Sequence, residues 1–300
     1  MQVFLRVLLS WSIRLLLKPV FSGWVPIGLQ RFWTRVMTAS SLPPRGTRVE
    51  PIDMNGVPAE RVTTAGAGSR VVLFLHGGGY CVGSPRTHRA LAAHIARAAE
   101  AVSYVPDYRL APEHPHPAAL EDALAAYRWL LSHIIKPAQI VIGGDSAGGG
   151  LALACAIAIR DAGLALPAAL VLISPWTDLT LSGDSTKTHA RRDPMLSHSI
   201  GALWSRLYLG PHPADHPLCS PLFANLAGLP PMLIQVGSEE ILLSDSQRLE
   251  QRATAAGVSV KLSRYDGMWH DFQAHAGVLR ESDSAITEIG SFVKNTIAAG

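Results

Sequence analysis

Residues 140–150 read Ile-Val-Ile-Gly-Gly-Asp-Ser-Ala-Gly-Gly-Gly and run directly into an apolar helical stretch. They contain a Gly-x-Ser-x-Gly pattern made by Gly144, Ser146 and Gly148. A sharp strand-to-helix turn holds its serine in a strained backbone region, so only small residues fit two positions away on each side. The turn exposes the hydroxyl and leaves the next N–H, that of Ala147, at a helix N-terminus, where it can donate to an oxyanion. The pattern predicts Ser146 as a nucleophile and Ala147 as an oxyanion donor.

From about residue 50 onward, short β-branched runs alternate with longer helical stretches. The predicted strands are Val71–Leu75, Ala101–Tyr104, Ile140–Ile142, Leu170–Ile173, Met232–Val236 and Val258–Leu262. The predicted helices are Thr87–Ala99, Ala118–His133, Ala147–Ala162, Ser244–Ala256 and Asp283–Thr296. This alternation predicts an α/β fold with a mostly parallel sheet and helices on both faces. The long interruption at 178–231, with a helical piece at Ser199–Leu209, is typical of a lid.

A second glycine run, His76-Gly77-Gly78-Gly79-Tyr80, follows the predicted strand that ends at Leu75. Three consecutive glycines bring no side chain to pack and cost backbone entropy, so they indicate a place where backbone amides approach a ligand closely. We therefore assign Gly77 and Gly78 as the other oxyanion donors.

A serine hydroxyl is a weak nucleophile without a base, so a histidine oriented by a carboxylate is required. The nucleophile elbow is followed along the chain by the acid and then by the histidine. His270 lies in the loop 266–272, just past the last predicted strand. The other downstream histidines lie in the interruption or, for His275, farther along, so we assign His270 as the base.

The acid is less well defined by the residues alone. Glu239 and Glu240 follow the predicted strand Met232–Val236, at the sheet edge where α/β folds keep their sites. Asp245 is better interpreted as a first-turn acid of the next helix, favoured by the helix dipole. Asp178, after the preceding strand, is an outside candidate. Composition does not separate Glu239 from Glu240.

Composition excludes several classes of protein. The chain has 300 residues, 48% of them apolar and 16% charged, which excludes a disordered or coiled-coil chain. Residues 1–49 hold seven basic side chains and no acidic one, so the remaining 251 residues carry 19 basic and 23 acidic groups, a net charge of −4. The basic sequence pI, near 8.9, is thus due to residues 1–49, which we call the N-terminal arm. No basic stripe or motif lies on the body, and we expect no nucleic-acid partner.

The three cysteines are widely spaced: Cys81, Cys155 and Cys219. Their number and spacing fit neither a disulfide framework nor a Cys-x-x-Cys metal site, and we expect a reducing, cytoplasmic compartment. Two histidine pairs stand in predicted loops: His114/His116 and His212/His216. We interpret them as ordinary loop histidines and expect no metal.

The first 18 residues are rich in leucine, valine and tryptophan. Their uncharged apolar run is too short for a spanning helix, and no small-x-small cleavage site follows, so we expect neither a membrane span nor a secretory signal. Every fourth residue is polar: Gln2, Arg6, Ser10, Arg14 and Lys18. The rest of such a helix is apolar and must lie against its own protein, a partner or a lipid surface. We interpret it as a helical cap on the main domain.

Together these motifs resemble the hormone-sensitive lipase family of α/β-hydrolases, specifically its bacterial carboxylesterase members. The similarity runs from about Val71 to Phe272, and its motifs are His76–Gly79, Asp107–Pro115, Gly144–Gly149 and Asp266–His270. The resemblance implies an α/β-hydrolase fold with a catalytic domain at 46–300. It also implies a cap built from residues 1–45 and an insertion at about 185–215. It places the acid on Glu240, although many members have aspartate and proline where this chain has Glu240-Ile241.

The resemblance implies a serine carboxylesterase that hydrolyses short to medium acyl esters through Ser146, Glu240 and His270. Its partner is a small-molecule ester, it needs no cofactor or metal, and a homodimer is left open. One alternative is a membrane-surface lipid hydrolase that docks through residues 1–20. The other, from a different class, is a non-catalytic small-molecule receptor on the same scaffold, which usually lacks the histidine that stands here as His270.

Overall fold

The Ile140–Asp145 strand lies inside an eight-stranded sheet in the computed structural model, which describes residues 2–133 and 135–297. The predicted domain bounds also include Met1 and residues 298–300, which lie outside the described residues. The strands are β1 Arg48–Asp53, β2 Pro58–Thr63, β3 Arg70–Leu75, β4 Ala101–Pro106, β5 Ile140–Asp145, β6 Ala169–Ile173, β7 Met232–Gly237 and β8 Val260–Tyr265. Their order is β1-β2-β4-β3-β5-β6-β7-β8, and β3 to β8 are parallel.

The predicted sheet is confirmed, and each predicted strand extends one to three residues past its predicted bounds at one end. Two further differences concern the edges of the sheet. The antiparallel edge strands β1 and β2 were not among the predicted strands, because β1 is largely exposed and carries no apolar run. The last strand begins at Val260 instead of Val258, since the chain turns through Gly257 and the Val258 N–H donates to Ala253 O at the end of the preceding helix.

Helices cover both faces of the sheet, as predicted. They are α1 Gln2–Leu16, α2 Ile27–Thr38, α3 Pro85–Ala99, α4 Ala118–Ser132, α5 Ala147–Asp161, α6 Ser185–Thr188, α7 His198–Leu209, α8 Leu243–Ala255 and α9 Arg280–Thr296. One buried cluster joins α3 and α9 to one face, and a larger cluster joins α4, α5 and α8 to the other. Along β5, Val141 faces the first cluster while Ile140 and Ile142 face the second, the period-2 alternation of a strand buried on both sides.

The parallel register brings the motif loops together. Leu75 at the end of β3 pairs with Gly144, and Asp145 at the end of β5 pairs with Ile173 of β6. The glycine run and the serine elbow therefore leave the same edge of the sheet. The loops after β7 and β8 leave this edge too, which is where parallel sheets hold their sites.

The N-terminal helices pack over this edge. The apolar row Leu5, Leu9 and Ile13 of α1 packs against a cluster that includes Trp269. Basic residues at the end of α1 and just after it form hydrogen bonds with backbone carbonyls of the same chain. Arg14 donates to the carbonyls of residues 191 and 192 at 2.9 and 2.8 Å. Lys18 likewise donates to the carbonyls of residues 190 and 193, so the arm is joined to the insertion that follows β6.

The second helix is joined to the body by an ion pair. Arg31 of α2 forms a bidentate pair with Glu113, at 2.9 and 2.7 Å, and donates through Nε to the Cys81 carbonyl at 2.8 Å. Bidentate arginine–carboxylate pairs are directional as well as favourable. This contact therefore fixes α2 next to the loop that carries the glycine run.

Candidate active site

Ser146 adopts the strained turn that its sequence context predicts. Its φ is +53° and its ψ −122°, a backbone conformation that side-chain-bearing residues rarely occupy. A Cβ added at Gly144 would lie 2.3 Å from the Gly148 carbonyl oxygen, and one at Gly148 would lie 2.0 Å from that of Leu75. Only glycine fits at both positions, so the spacing of the motif is a steric requirement of the turn.

A chain of short hydrogen bonds joins Ser146, His270 and Glu240. The distance from Ser146 Oγ to His270 Nε2 is 2.9 Å, and that from His270 Nδ1 to Glu240 Oε2 is 2.7 Å. We assign the Nδ1–H as donor to the carboxylate, which leaves Nε2 to accept from the serine hydroxyl. Glu240 is fully buried, and its Oε1 accepts hydrogen bonds from Ser174 Oγ at 2.8 Å and Gly237 N at 2.6 Å. This arrangement can activate a nucleophile by general-base catalysis.

The competing carboxylates have other partners. Glu239 accepts from the neighbouring serine hydroxyl, at 3.0 Å. Asp245, the predicted first-turn acid of α8, is buried and accepts the N–H of Asp178 at 2.9 Å, while Asp178 is paired with an arginine of α8 at 2.7 Å. Of these four carboxylates, all within the described residues, Glu240 alone contacts His270 Nδ1. The geometry favours Glu240 as the acid, a choice that composition left open.

Asp271, not singled out by the sequence analysis, is a second carboxylate beside His270. Its Oδ2 lies 3.0 Å from His270 Nε2, the nitrogen that also faces Ser146. Burial lowers the pKa of His270, but Asp271 and Glu240 outweigh burial and hold that pKa well above its usual value. Burial also raises the pKa of Asp271, so the aspartate and the imidazole titrate as a pair. The one sequence signal that Asp271 lies beside the imidazole is that it directly follows His270 in the chain.

The structure does not favour Gly77 as an oxyanion donor, as the glycine run had predicted. Its N–H already donates to Asp145 Oδ1, at 3.0 Å, and is therefore not available to a substrate. Within the described residues, the N–H groups of Gly78, Gly79 and Ala147 have no acceptor. Gly79 also lines the same small cavity as Ser146. The sequence does not distinguish the three consecutive glycines. Only the position of Asp145 in the fold shows which of their N–H groups already donates a hydrogen bond.

Asp145 anchors the glycine loop through a buried ion pair. His88 Nε2 of α3 lies 3.2 Å from Asp145 Oδ2. Burial favours the neutral form of each group, but their mutual attraction prevails, so the pKa of Asp145 is lowered and that of His88 is raised. The pair therefore holds Asp145 in place as the acceptor of the Gly77 N–H, next to the two glycines whose N–H groups have no acceptor within the described residues.

Two cavities of different size lie beside the site, one lined by Ser146 and the other by Asp271. The smaller, of about 10 Å³, has room for roughly one water molecule. It is lined by Gly79, Ser146 and apolar side chains, which include Trp176, Leu196, Ile200, Trp204 and Leu242. The larger, of about 180 Å³, lies under α1 and α2. Its lining includes Gly78 and Asp271 at one end and Ile13, Phe21, Met37 and Met195 elsewhere.

Comparison with known proteins gives consistent matches. The sequence profile of the α/β-hydrolase fold family matches residues 72–274. An acetyl-hydrolase of Streptomyces hygroscopicus is 44% identical over 242 residues, which cover 81% of each chain. An esterase of Acinetobacter venetianus is 38% identical over 247 residues, covering 82% of this chain and 81% of its own. The crystal structure of an esterase from the bacterial hormone-sensitive lipase family superposes with a TM-score of 0.94 at 43% identity and covers 98% of both chains.

Proposed function

Because the chain belongs to the α/β-hydrolase family, in its bacterial hormone-sensitive lipase group, we propose that it is a serine carboxylesterase with Ser146, His270 and Glu240 as its triad. The family match and the structural superposition confirm the family and fold that the sequence motifs implied. The observation that carries the proposal is the hydrogen-bond chain from Glu240 through His270 to Ser146, next to three N–H groups that have no acceptor in the part of the chain that the structure describes. This combination supplies both a base-activated nucleophile and a site for the charge it creates.

The reaction then has two stages. As Ser146 Oγ attacks the ester carbonyl carbon, His270 Nε2 takes the hydroxyl proton and Glu240 stabilises the imidazolium. The N–H groups of Gly78, Gly79 and Ala147 bind the oxyanion. His270 gives its proton to the alcohol oxygen as the C–O bond breaks, which leaves an acyl group on Ser146. A water molecule, deprotonated by His270, attacks this acyl-enzyme and releases the carboxylic acid.

The two cavities support an assignment of the two halves of the ester. The acyl group stays bonded to Ser146, which lines the small cavity, so that cavity is the acyl pocket. The alcohol leaves on the side of His270 Nε2, next to Asp271, which lines the large cavity. Short acyl groups therefore fit best, with a larger and mainly apolar alcohol on the other side. The Streptomyces relative is named an acetyl-hydrolase, which is consistent with a pocket for a short acyl group.

A panel of 4-nitrophenyl esters from acetyl to octanoyl tests the acyl pocket. We expect kcat/KM to be highest for the acetyl ester and to fall at least about tenfold by octanoyl, because each methylene that does not fit costs about 1–3 kcal/mol in such a pocket. Ile200→Ala enlarges the acyl pocket and should move the optimum to longer chains.

The matched control is Met37→Ala, which enlarges the alcohol cavity and should leave the acyl-chain profile unchanged. Equal turnover of acetyl and octanoyl esters by the unmodified protein would show that the small cavity does not hold the acyl group. A change of the profile by Met37→Ala, and none by Ile200→Ala, would show that the two assignments are reversed.

An exposed apolar face favours a second candidate, a hydrolase that acts at a lipid surface. Of the thirteen large apolar side chains exposed among the described residues, twelve lie between Val3 and Leu42, which is far from the scattered pattern of an ordinary surface. Phe4, Trp11 and Trp24 are 69%, 57% and 79% exposed. Within the described residues no helix has the length and hydropathy to cross a bilayer. The face suits helices that lie in the interface plane.

Vesicle co-sedimentation tests this candidate. Because Arg14 and Lys18 are bonded to the insertion, we expect binding to neutral phosphatidylcholine vesicles that added anionic lipid strengthens only slightly. Replacing both Phe4 and Trp11 with serine should weaken binding by on the order of a hundredfold, since two aromatic side chains no longer enter the lipid. Val278→Ser, at an exposed valine elsewhere, is the control. Undiminished sedimentation of the double variant would eliminate lipid docking by this face.

A further inference from the structure

Four potential metal ligands meet where the insertion contacts the segment before α4. Ligand atoms of His116, His216 and Cys219 all lie within 4.8 Å of one another. The ring of His212 is close to both histidines, with centroids 4.9 Å from His116 and 5.4 Å from His216. Sequence spacing conceals this group, because His116 stands about a hundred residues before the other three. We propose that these four side chains form a binding site for Zn²⁺.

The donor set suits this ion. Zn²⁺ is borderline soft, prefers four-coordinate sites of imidazole and thiolate, and binds them at about 2.0–2.1 Å for nitrogen and 2.3 Å for sulfur. Ligand atoms 4.8 Å apart or less reach these distances when each moves by less than about 1 Å. His212, which is partly exposed, supplies the fourth position by a side-chain rotation.

The surroundings keep the donors available to a metal. His116 is buried beside two other imidazoles, and burial with these neighbours lowers its pKa to about 4, so it stays neutral as a ligand must. Within the described residues no carboxylate forms an ion pair with His116, His212 or His216. Cys219 is fully buried, and burial raises the pKa of its thiol to about 12.

The backbone holds the site in shape before any ion binds. Within the interruption 178–231, the Cys219 N–H donates to the His216 carbonyl at 2.9 Å, and the His216 N–H donates to the carbonyl of residue 213 at 3.0 Å. Across to the body, the His116 N–H donates to the Tyr208 carbonyl of α7 at 2.7 Å. A longer contact, at 3.3 Å, joins the Leu218 N–H to His216 Nδ1, and ligation through Nδ1 would replace it.

An ion there would join the insertion to the catalytic body. The ring of Tyr208 packs edge-on against His116 and stacks on Tyr80, with centroids 3.7 Å apart. Tyr80 directly follows Gly79, one of the proposed oxyanion donors. The site is therefore separate from the catalytic residues but connected to them through two packed aromatic rings.

Cobalt substitution tests the proposal on the full chain after treatment with a chelator. We expect one equivalent of Co²⁺ to give the visible bands of a tetrahedral site together with a near-ultraviolet thiolate-to-cobalt band, and one equivalent of Zn²⁺ to abolish both. Cys219→Ser should remove the thiolate band. The matched control, Cys155→Ser at a buried cysteine of α5, should retain it.

Zinc affinity gives a second measurement that does not depend on how well Cys219→Ser folds. By competition with a chromophoric chelator, His216→Asn, at a partly exposed position, should weaken Zn²⁺ binding by at least about a hundredfold. Cobalt spectra without a thiolate band in the unmodified protein would overturn the proposal. Zinc affinity unchanged by His216→Asn would overturn it equally, since an adventitious surface histidine would then be the ligand.

Discussion

Replacing Ser146 with alanine is expected to lower kcat for a short-chain aryl ester by at least about 10⁴-fold, while the thermal midpoint changes little. Losing a triad nucleophile removes the covalent route, and the activity that remains comes from substrate binding and the oxyanion site. The Ser146 side chain is the hydroxyl within hydrogen-bond distance of His270 Nε2. The measurement is steady-state kinetics on purified protein, with folding checked by circular dichroism.

The matched control is Ser205→Ala. Ser205 is also a buried serine, but its hydroxyl donates to the Leu179 carbonyl at 2.8 Å, within the interruption 178–231 and away from His270. This variant should keep kcat within a few-fold of the unmodified protein and lose a little stability, about 1 kcal/mol for one hydrogen bond. Equal losses of activity in the two variants would indicate damage to folding, and retained activity in Ser146→Ala would exclude Ser146 as the nucleophile.

Substituting the two adjacent glutamates separates the catalytic acid from its neighbour. Glu240→Gln should lower kcat by roughly 10⁴-fold, because an amide beside His270 Nδ1 favours the wrong tautomer and no longer stabilises the imidazolium. Glu239→Gln should change kcat less than about threefold, since that side chain interacts with a serine hydroxyl away from the imidazole. Both substitutions are nearly isosteric, so each variant is the control of the other.

A large loss in Glu239→Gln with little loss in Glu240→Gln would reverse the assignment of the acid. The pH dependence of kcat/KM adds an independent readout. His270 must be neutral to accept the serine proton, so activity falls as the pH drops through the pKa of His270, which the carboxylates raise. Removing the Glu240 charge should lower that pKa and move the acidic limb of the profile to lower pH.

The residues that local patterns could predict are those whose role is steric or topological. Ser146 needs glycines on both sides, and that need is visible in five consecutive letters. His270 follows from its position after the last strand of an alternating fold. The α/β architecture follows from the same alternation, and the central strands are continuous apolar runs because both faces are covered.

The features that could not be predicted depend on contacts across the fold. Glu239 and Glu240 differ by one position on a turn, and only the tertiary structure shows which carboxylate meets the imidazole. The sequence also does not show that the Gly77 N–H donates to Asp145, which comes from another loop, so it does not distinguish Gly77 from the next two glycines. The contacts of the basic residues at the end of α1 and just after it are likewise not visible in the sequence: Arg14 and Lys18 are hydrogen-bonded to backbone carbonyls at 190–193.

The central claim, that Ser146 forms a covalent intermediate, is tested most directly with a fluorophosphonate probe and mass spectrometry of the intact and digested protein. We predict one adduct per chain, located on the peptide that contains Ser146, and no adduct on the Ser146→Ala protein. The same result would exclude a non-catalytic receptor, because phosphonylation requires a hydroxyl activated by a base. An adduct that persists in Ser146→Ala, or a folded protein that does not react at all, would contradict the claim.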